Sequence, residues 1–336
     1  MKSEENISLR PYNTFRMDVH AGYFITCYNM EEIRMAVNAN KDKSITVFGG
    51  GSNILLTKNI EGVVIKNEIR GINQIREEGH QVFVEAGAGE NWHRFVLYCL
   101  DHNLGGVENL ALIPGSVGAS PMQNIGAYGV ELSEVFHELL AYDTKEAKFK
   151  TFNREECLFG YRESIFKTKH KGRFIICKVV FRLTRKPIFN ISYGAIRQEL
   201  NAAEVKEVNI RSIAEAVIRI RRAKLPDPEL IGNAGSFFKN PTVSASQFAL
   251  LKEKFPLIVG FPNESGDVKL AAGWMIESCG WKGFRRGDAG CHAQQALVLV
   301  NYGNATGKEI FDLSEEILTS VKEKFGVELE REVNVL

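Results

Sequence analysis

The stretch "IPGSVGASPMQNIGAYG", Ile113–Gly129, carries glycine at 115, 118, 126 and 129, two prolines and the amides Gln123 and Asn124, with no charged residue. A turn between two strands needs one or two such residues. A disordered linker would not hold Ile113, Val117, Met122, Ile125 and Tyr128 between its glycines. The stretch therefore reads as a fixed loop pressed against something. Its glycines permit positive φ and let a ligand approach the main chain, whose uncharged N–H groups can hold phosphate without a lysine.

A second glycine cluster, "GGGSN" at Gly49–Asn53, follows the β-run Ile45–Phe48 and precedes another at Val63–Ile65. No helix follows it, so neither a Rossmann turn nor a P-loop fits. Alone it reads as a plain turn. Paired with the longer loop in one strand-rich region, it suggests a single extended, phosphate-containing ligand. "GAGENW" has Trp92 where a third fingerprint glycine would stand, and "GNATGK" is one residue short of a P-loop; both read as helix caps.

The remaining pattern is α+β. "QVFVEAGAGENWHRFVLYCLDHNLGG" reads as strand then helix, with Phe95, Val96, Cys99 and Leu100 on one face. "HELLAYDTKEAKFKTF" reads as a hairpin, Asn153 with Glu156 as the capping box of a short helix, and "RFIICKVVFRLTR" as a strong strand. Residues 209–224 turn helical and stop at "LPDP", which suggests a second domain beginning near residue 200. Helices are expected in "SASQFALLKEKFP", "AAGWMIESCG" and from Thr306 to Phe325, and a buried strand in "ALVLVN". The ending "GVELEREVNVL" alternates as a strand, with Leu329, Arg331 and Val333 on one face and Glu328, Glu330, Glu332 and Asn334 on the other.

With 336 residues, 44% of them hydrophobic, the chain can bury a large core, and a formal charge of +1 offers no basic field for nucleic acid. Six scattered cysteines without a Cys-x-x-Cys pair read as reduced thiols, and the histidines show no metal spacing, so no metal is expected. The opening "MKSEENISLRPYN" has no apolar signal core and no run is long enough for a bilayer, so a cytoplasmic protein without a membrane segment is expected. Three polar residues stay open on sequence alone. Arg162 in "FGYRESIFK" is either a surface ion-pair partner or a fork for a carboxylate. Ser236 in "GNAGSFFKNP" is either a cap or a proton donor near Lys239; a serine-hydrolase elbow is excluded by Phe238. Glu332 reads as solvent-facing.

The ordered set "NTFRMD", "GGGSN", "IPGSVGASPMQNIGAYG", "GYRESIFK", "LPDP", "NAGSFFKNP", "AAGWMIE", "QQALVLVN" and "LEREV" resembles the UDP-N-acetylenolpyruvoylglucosamine reductase family over nearly the whole chain. The resemblance implies an FAD-binding domain of the vanillyl-alcohol-oxidase (PCMH) type at residues 1–200, with subdomains of about 1–70 and 71–200. An α+β substrate-binding lid would follow at 201–336, its last strand, 328–336, returning to the active site. FAD, bound tightly and without a covalent link, would contact Gly49, Gly50, Gly51, Ser52, Asn53, Pro114, Gly115, Ser116, Gly118, Ala119, Gln123, Asn124, Gly126, Ala127 and Tyr128.

The implied reaction completes UDP-N-acetylmuramate for peptidoglycan synthesis: NADPH reduces FAD, and flavin N5 then delivers hydride to the terminal carbon of UDP-N-acetylglucosamine enolpyruvate. Arg162 and Glu332 would polarise the substrate carboxylate, and Ser236 would protonate the adjacent carbon, with Lys239 acidifying its hydroxyl. Tyr193 in "ISYGAI" matches the substrate-closing loop tyrosine of one of the family's two subtypes. Lys224, Asn240 and Gln295 match positions contacting the nucleotide diphosphate or the sugar. Arg331 stands where many relatives have proline, and Arg286–Gly290 departs from a glycine-rich stretch. A monomer is expected. The competing readings are a flavin oxidase or dehydrogenase of the same fold and a non-catalytic sugar-nucleotide binding protein.

Overall fold

The computed structural model describes every residue except Glu264. The chain forms two compact units, one of Met1–Ile7, His20–Gly51 and Ile60–Ala223, the other of Ser8–Val19, Ser52–Asn59 and Lys224–Leu336. A single cut at residue 200 does not describe this division. Ile210, Ala214, Val217 and Ile220 of the helix Ile210–Lys224 are buried in the same apolar cluster as Phe95, Val96 and Leu104, so hydrophobic burial holds that helix in the first unit up to "LPDP".

The first unit is built on two sheets. In one, His20–Cys27 and Ile45–Phe48 both run parallel to Ile60–Asn67, with Lys2–Ser8 at the edge. The helix Met30–Asn38, capped by Asn29 Oδ1 accepting from Glu32 N at 2.9 Å, makes the crossover. The other sheet is antiparallel, in the order Lys148–Asn153, Phe136–Asp143, Phe174–Thr184, Gln81–Gly87, Ile72–Glu78. The helix Trp92–Asp101 follows it. Trp92, Phe95, Val96, Cys99 and Leu100 form its buried stripe at helical spacing, and Phe95 packs on Phe181 with ring centroids 4.5 Å apart.

The expected short helix after Asn153 does not form. The reciprocal capping bonds are present, Glu156 N to Asn153 Oδ1 at 2.9 Å and Asn153 N to Glu156 Oε2 at 3.0 Å. They close only a turn, because Leu158 takes φ 46° and breaks the helical path before the chain reaches Gly160.

In the second unit an antiparallel sheet runs Gly232–Ser236, Val298–Asn301, Ala289–Cys291, Arg285–Arg286. The helix Gly307–Phe325 buries Ile310, Leu313, Ile317 and Val321; Thr306 and Glu309 complete its capping box, and Gly326 at φ 66° ends it. A parallel pair joins Asn334–Val335 to Ile54–Leu55. All six cysteines are free. Burial pushes the thiols of Cys27, Cys157, Cys177 and Cys291 up to about 12, so these are packing residues. Among the described residues no helix is long and apolar enough to cross a membrane.

Candidate active site

The two glycine clusters meet. The strand Ile45–Phe48 delivers Gly49–Gly51 to its C-terminal end, with Gly51 at φ 62°. A Cβ on Gly50 would lie 2.6 Å from Gly115 Cα, and one on Gly49 would run into the Ser116 hydroxyl. Neither Gly49 nor Gly50 has space for a side chain here. Lys66 Nζ donates to Gly49 O at 2.7 Å and fixes the turn from beneath. The longer loop is pinned from the other side, by Trp92 N to Gly115 O at 3.0 Å, Val117 N to Glu90 O at 2.8 Å and Gly118 N to Ala88 O at 2.8 Å. Ser116, Val117 and Asn124 are buried along it, whereas Pro114 and Ala119 are exposed and Gln123 and Ala127 are half-buried.

Asn124 is committed to the protein. Its Nδ2 donates to Glu131 Oε2 at 2.8 Å and to Gly160 O at 3.0 Å, and its Oδ1 accepts from Ser133 N at 3.0 Å. These bonds tie the loop to the turn Gly160–Glu163, where Arg162 takes φ 54° and donates through its guanidinium to Gly126 O. A Cβ on Gly126 would stand 2.7 Å from Arg162 Nη1, so a side chain there would push the guanidinium aside. Arg162 is thus held against the loop's Gly126–Tyr128 end. Tyr193 packs edge-on to Tyr128 at 5.2 Å and is about half exposed. Its segment is tethered to the same end by Asn190 Nδ2 donating to Gly129 O at 2.8 Å, and by Asn109 Nδ2, which donates to both Asn190 O at 2.9 Å and Tyr128 O at 3.0 Å.

Two residues here were missed in the sequence. Arg221 hydrogen-bonds the Tyr128 phenol and donates from Nε to Leu112 O at 3.2 Å. Burial pulls its guanidinium below the ordinary value, with Tyr128 opposing. His93 Nδ1 accepts from Leu112 N at 3.1 Å, and burial, then Arg222 and Arg221, hold its imidazole below the usual value, favouring the neutral acceptor. Leu112, at φ 59°, is therefore gripped by both its N–H and its C=O immediately before Ile113. Helical spacing carried a signal for Arg221: it stands four residues after the buried Val217, on the apolar stripe.

In the second unit, the strand Gly232–Ser236 loses register with its partner between Asn233 and Ser236, and Gly235 sits there at φ 71°. This bulge re-aims Ser236, which is half-buried. The C-terminal tail runs beside it: Glu332 N donates to Phe237 O at 2.8 Å and Lys239 N to Glu330 O at 2.9 Å. Glu332 is half-buried, unlike the exposed Glu328 and Glu330. Lys239 has its ammonium 2.9 Å from Glu330 Oε2, a carboxylate that the tail brings to it. Asn53 holds the tail's other edge, Nδ2 donating to Glu332 O at 3.4 Å and O accepting from Asn334 N at 3.1 Å; Ser52 lies in the same segment.

Asn240 and Gln295 converge on the start of the helix Ala272–Ser278. Asn240 Oδ1 accepts from Ala272 N at 3.0 Å, and a Cβ on Gly273 would stand 3.2 Å from Gln295 Oε1. Lys224 is exposed.

Residues 21–145 match an FAD binding domain, and residues 227–336 match the C-terminal domain of UDP-N-acetylenolpyruvoylglucosamine reductase. The protein of that name from Flavobacterium johnsoniae is 48% identical over 337 residues, covering 100% of both chains. The chain belongs to the UDP-N-acetylenolpyruvoylglucosamine reductase family. Another member, from Pseudomonas aeruginosa, is 47% identical over 337 residues, covering 100% of this chain and 99% of its own. The crystal structure of UDP-N-acetylenolpyruvylglucosamine reductase from Thermus caldophilus, 24% identical, matches 100% of this chain and 99% of its own with a TM-score of 0.69 and shows the same fold.

As a member of this reductase family the chain is an FAD-dependent oxidoreductase. Its residues fit the cofactor. Gly49, Gly50, Gly51 and Gly115 present main chain without side chains, the kind of backbone whose N–H groups can hold a pyrophosphate.

Proposed function

We propose that this reductase converts UDP-N-acetylglucosamine enolpyruvate to UDP-N-acetylmuramate, with NADPH as electron donor, in peptidoglycan precursor synthesis. The observation that carries the reading is the main-chain bond from Glu332 to Phe237, which brings a carboxyl from the end of the chain beside the bulged strand bearing Ser236. When bound, FAD supplies the hydride, drawn from NADPH, that adds to the terminal vinyl carbon. The chain's residues handle the charge this creates.

Hydride addition turns the CH2 group into CH3 and leaves an electron pair on the neighbouring carbon, delocalised into the carboxylate. Arg162, a planar fork held by Gly126 O, stabilises that developing negative charge. Glu332, carrying a proton, donates a hydrogen bond to the same carboxylate. Ser236 gives its hydroxyl proton to the carbanion-like carbon, and solvent restores it. One hydride and one proton thus reduce the C=C bond, and NADPH leaves as NADP+.

Tyr193 closes over the sugar nucleotide, as in the tyrosine-loop subtype, and Lys224, Asn240 and Gln295 contact its diphosphate or sugar. The same reading has the enzyme act in the cytoplasm as a monomer.

The test is anaerobic. The flavin is reduced with stoichiometric NADPH, the enolpyruvyl sugar nucleotide is added, and absorbance is followed. Return of the oxidised spectrum with the lactyl ether formed is the expected result. Flavin that stays bleached until air enters would instead indicate an oxidase. A colourless protein that cannot be reconstituted would leave a binding protein.

A further inference from the structure

In "LEREV" an arginine directly precedes Glu332. The main-chain bonds flanking it use Glu330 O and Glu332 N, which seat the tail on Phe237–Lys239 but do not involve the Arg331 side chain. Side chains alternate along an extended backbone, so the direction taken at 331 dictates the opposite direction at 330 and 332.

Arg331 takes one direction firmly. Its Nε donates to Ser314 Oγ at 2.8 Å, its Nη2 lies 2.7 Å from Glu315 Oε1, and its guanidinium lies over the Phe311 ring at 4.5 Å. Ser314 is fully buried, and its hydroxyl donates to Phe311 O at 2.6 Å, so the lone pair offered to Arg331 has a fixed orientation. The Arg331 side chain is only 19% exposed, whereas Glu315 is 51% exposed. The ion pair therefore contributes little, and the buried hydroxyl and ring face set the rotamer.

We infer that Arg331 is a positioning residue: by clamping the tail to the helix Gly307–Phe325 it sets the direction of the Glu332 carboxyl. This rests on the role proposed above for Glu332. A point charge on a flexible stem cannot span a hydroxyl, a carboxylate and a ring face at once, so lysine is a poor substitute.

The experiment compares Arg331→Met, Arg331→Lys, Ser314→Ala, Glu332→Gln and the double variant Arg331→Met/Glu332→Gln, each as FAD-loaded enzyme, in anaerobic stopped flow. Flavin reduction by NADPH is expected within twofold of the parent in Arg331→Met, Arg331→Lys and Ser314→Ala. Reoxidation by the enolpyruvyl sugar nucleotide should slow about 10- to 100-fold in Arg331→Met and Arg331→Lys, and less in Ser314→Ala. The double variant should be no slower than Glu332→Gln alone, since Arg331 acts through Glu332.

Parent-like reoxidation in Arg331→Met, beside a slow Glu332→Gln, would overturn the inference, as would fully additive losses in the double variant. Equal slowing of both half-reactions would also overturn it and make Arg331 a plain structural anchor. If Arg331→Met does not fold, Ser314→Ala decides: normal reoxidation there counts against the clamp. Parent-like reoxidation in Glu332→Gln would remove the proposed role of Glu332 itself, and the inference with it.

Discussion

Between Gly115 and Gly118 the chain is held by main chain: backbone bonds from Trp92, Val117 and Gly118, and a glycine-on-glycine contact at Gly50 and Gly115. Between Glu330 and Asn334 main-chain bonds are joined by side chains: Arg331 on Ser314, Lys239 on Glu330, Asn53 on the Glu332 carbonyl. The first arrangement leaves no space for an added side chain at Gly50. The second fixes the direction of one short side chain, which suits chemistry. The loop should therefore fail by steric intrusion and the tail by loss of a single contact.

The largest effect tests the loop. Gly50→Ala places a methyl 2.6 Å from Gly115 Cα, where neither backbone can yield. Purified variant should carry little FAD, read from the ratio of flavin to protein absorbance; stoichiometric yellow protein would mean the contact does not shape the cofactor site. Next comes the chemistry served by the tail. Ser236→Ala should leave NADPH reduction of the flavin intact and slow its reoxidation by substrate about 10²- to 10⁴-fold. Equal loss in both half-reactions would remove its acid role.

A smaller effect tests the side chain that holds the loop's entrance. His93→Ala leaves the half-buried Leu112 N–H without its acceptor, which costs about 1 kcal/mol. His93→Asn should restore much of that loss, because its Oδ1 can replace Nδ1. Thermal unfolding with excess FAD measures both, and equal melting of the two variants would show that the histidine acceptor is immaterial.

The smallest effect on activity lies away from both regions. Arg173 donates to the buried Asp143 from Nε, 3.0 Å from Oδ1 and 3.1 Å from Oδ2, and from Nη2, 2.7 Å from Oδ2, and holds its carboxyl down at about 2. A depressed carboxylate stabilises the fold above its unfolded pKa and loses that contribution as pH falls through the folded value. Asp143→Asn should cost about 2 kcal/mol at neutral pH, with the gap to the parent closing between about pH 4 and pH 2. A gap independent of pH would assign the effect to packing, and turnover at neutral pH should be unchanged.

The division between what was legible and what was not follows the range of the interactions. The helices Trp92–Asp101 and Gly307–Phe325 were readable because burial recurs at helical spacing and their caps lie within a few residues. Asn153 shows the limit of the same logic: its capping bonds formed, yet Leu158 turned the chain before a helix could grow. Arg162, Ser236 and Glu332 gained their readings from a family resemblance, since a loop arginine, a cap-like serine and a strand glutamate are locally commonplace. The ion pair of Lys239 with Glu330, 91 residues further along the chain, had no local signal at all.

Local sequence determined the composition of both glycine clusters, most helices and strands, and the proline stop at "LPDP", because propensity, capping and periodicity act within a turn or two of chain. Tertiary structure alone decided that Gly50 abuts Gly115, that Leu112 lies between His93 and Arg221, and that the tail lies beside Ser236. Those contacts join segments far apart in the chain. Burial and hydrogen bonding choose such partners by which surfaces meet once the sheets have closed, and no local spacing records that choice.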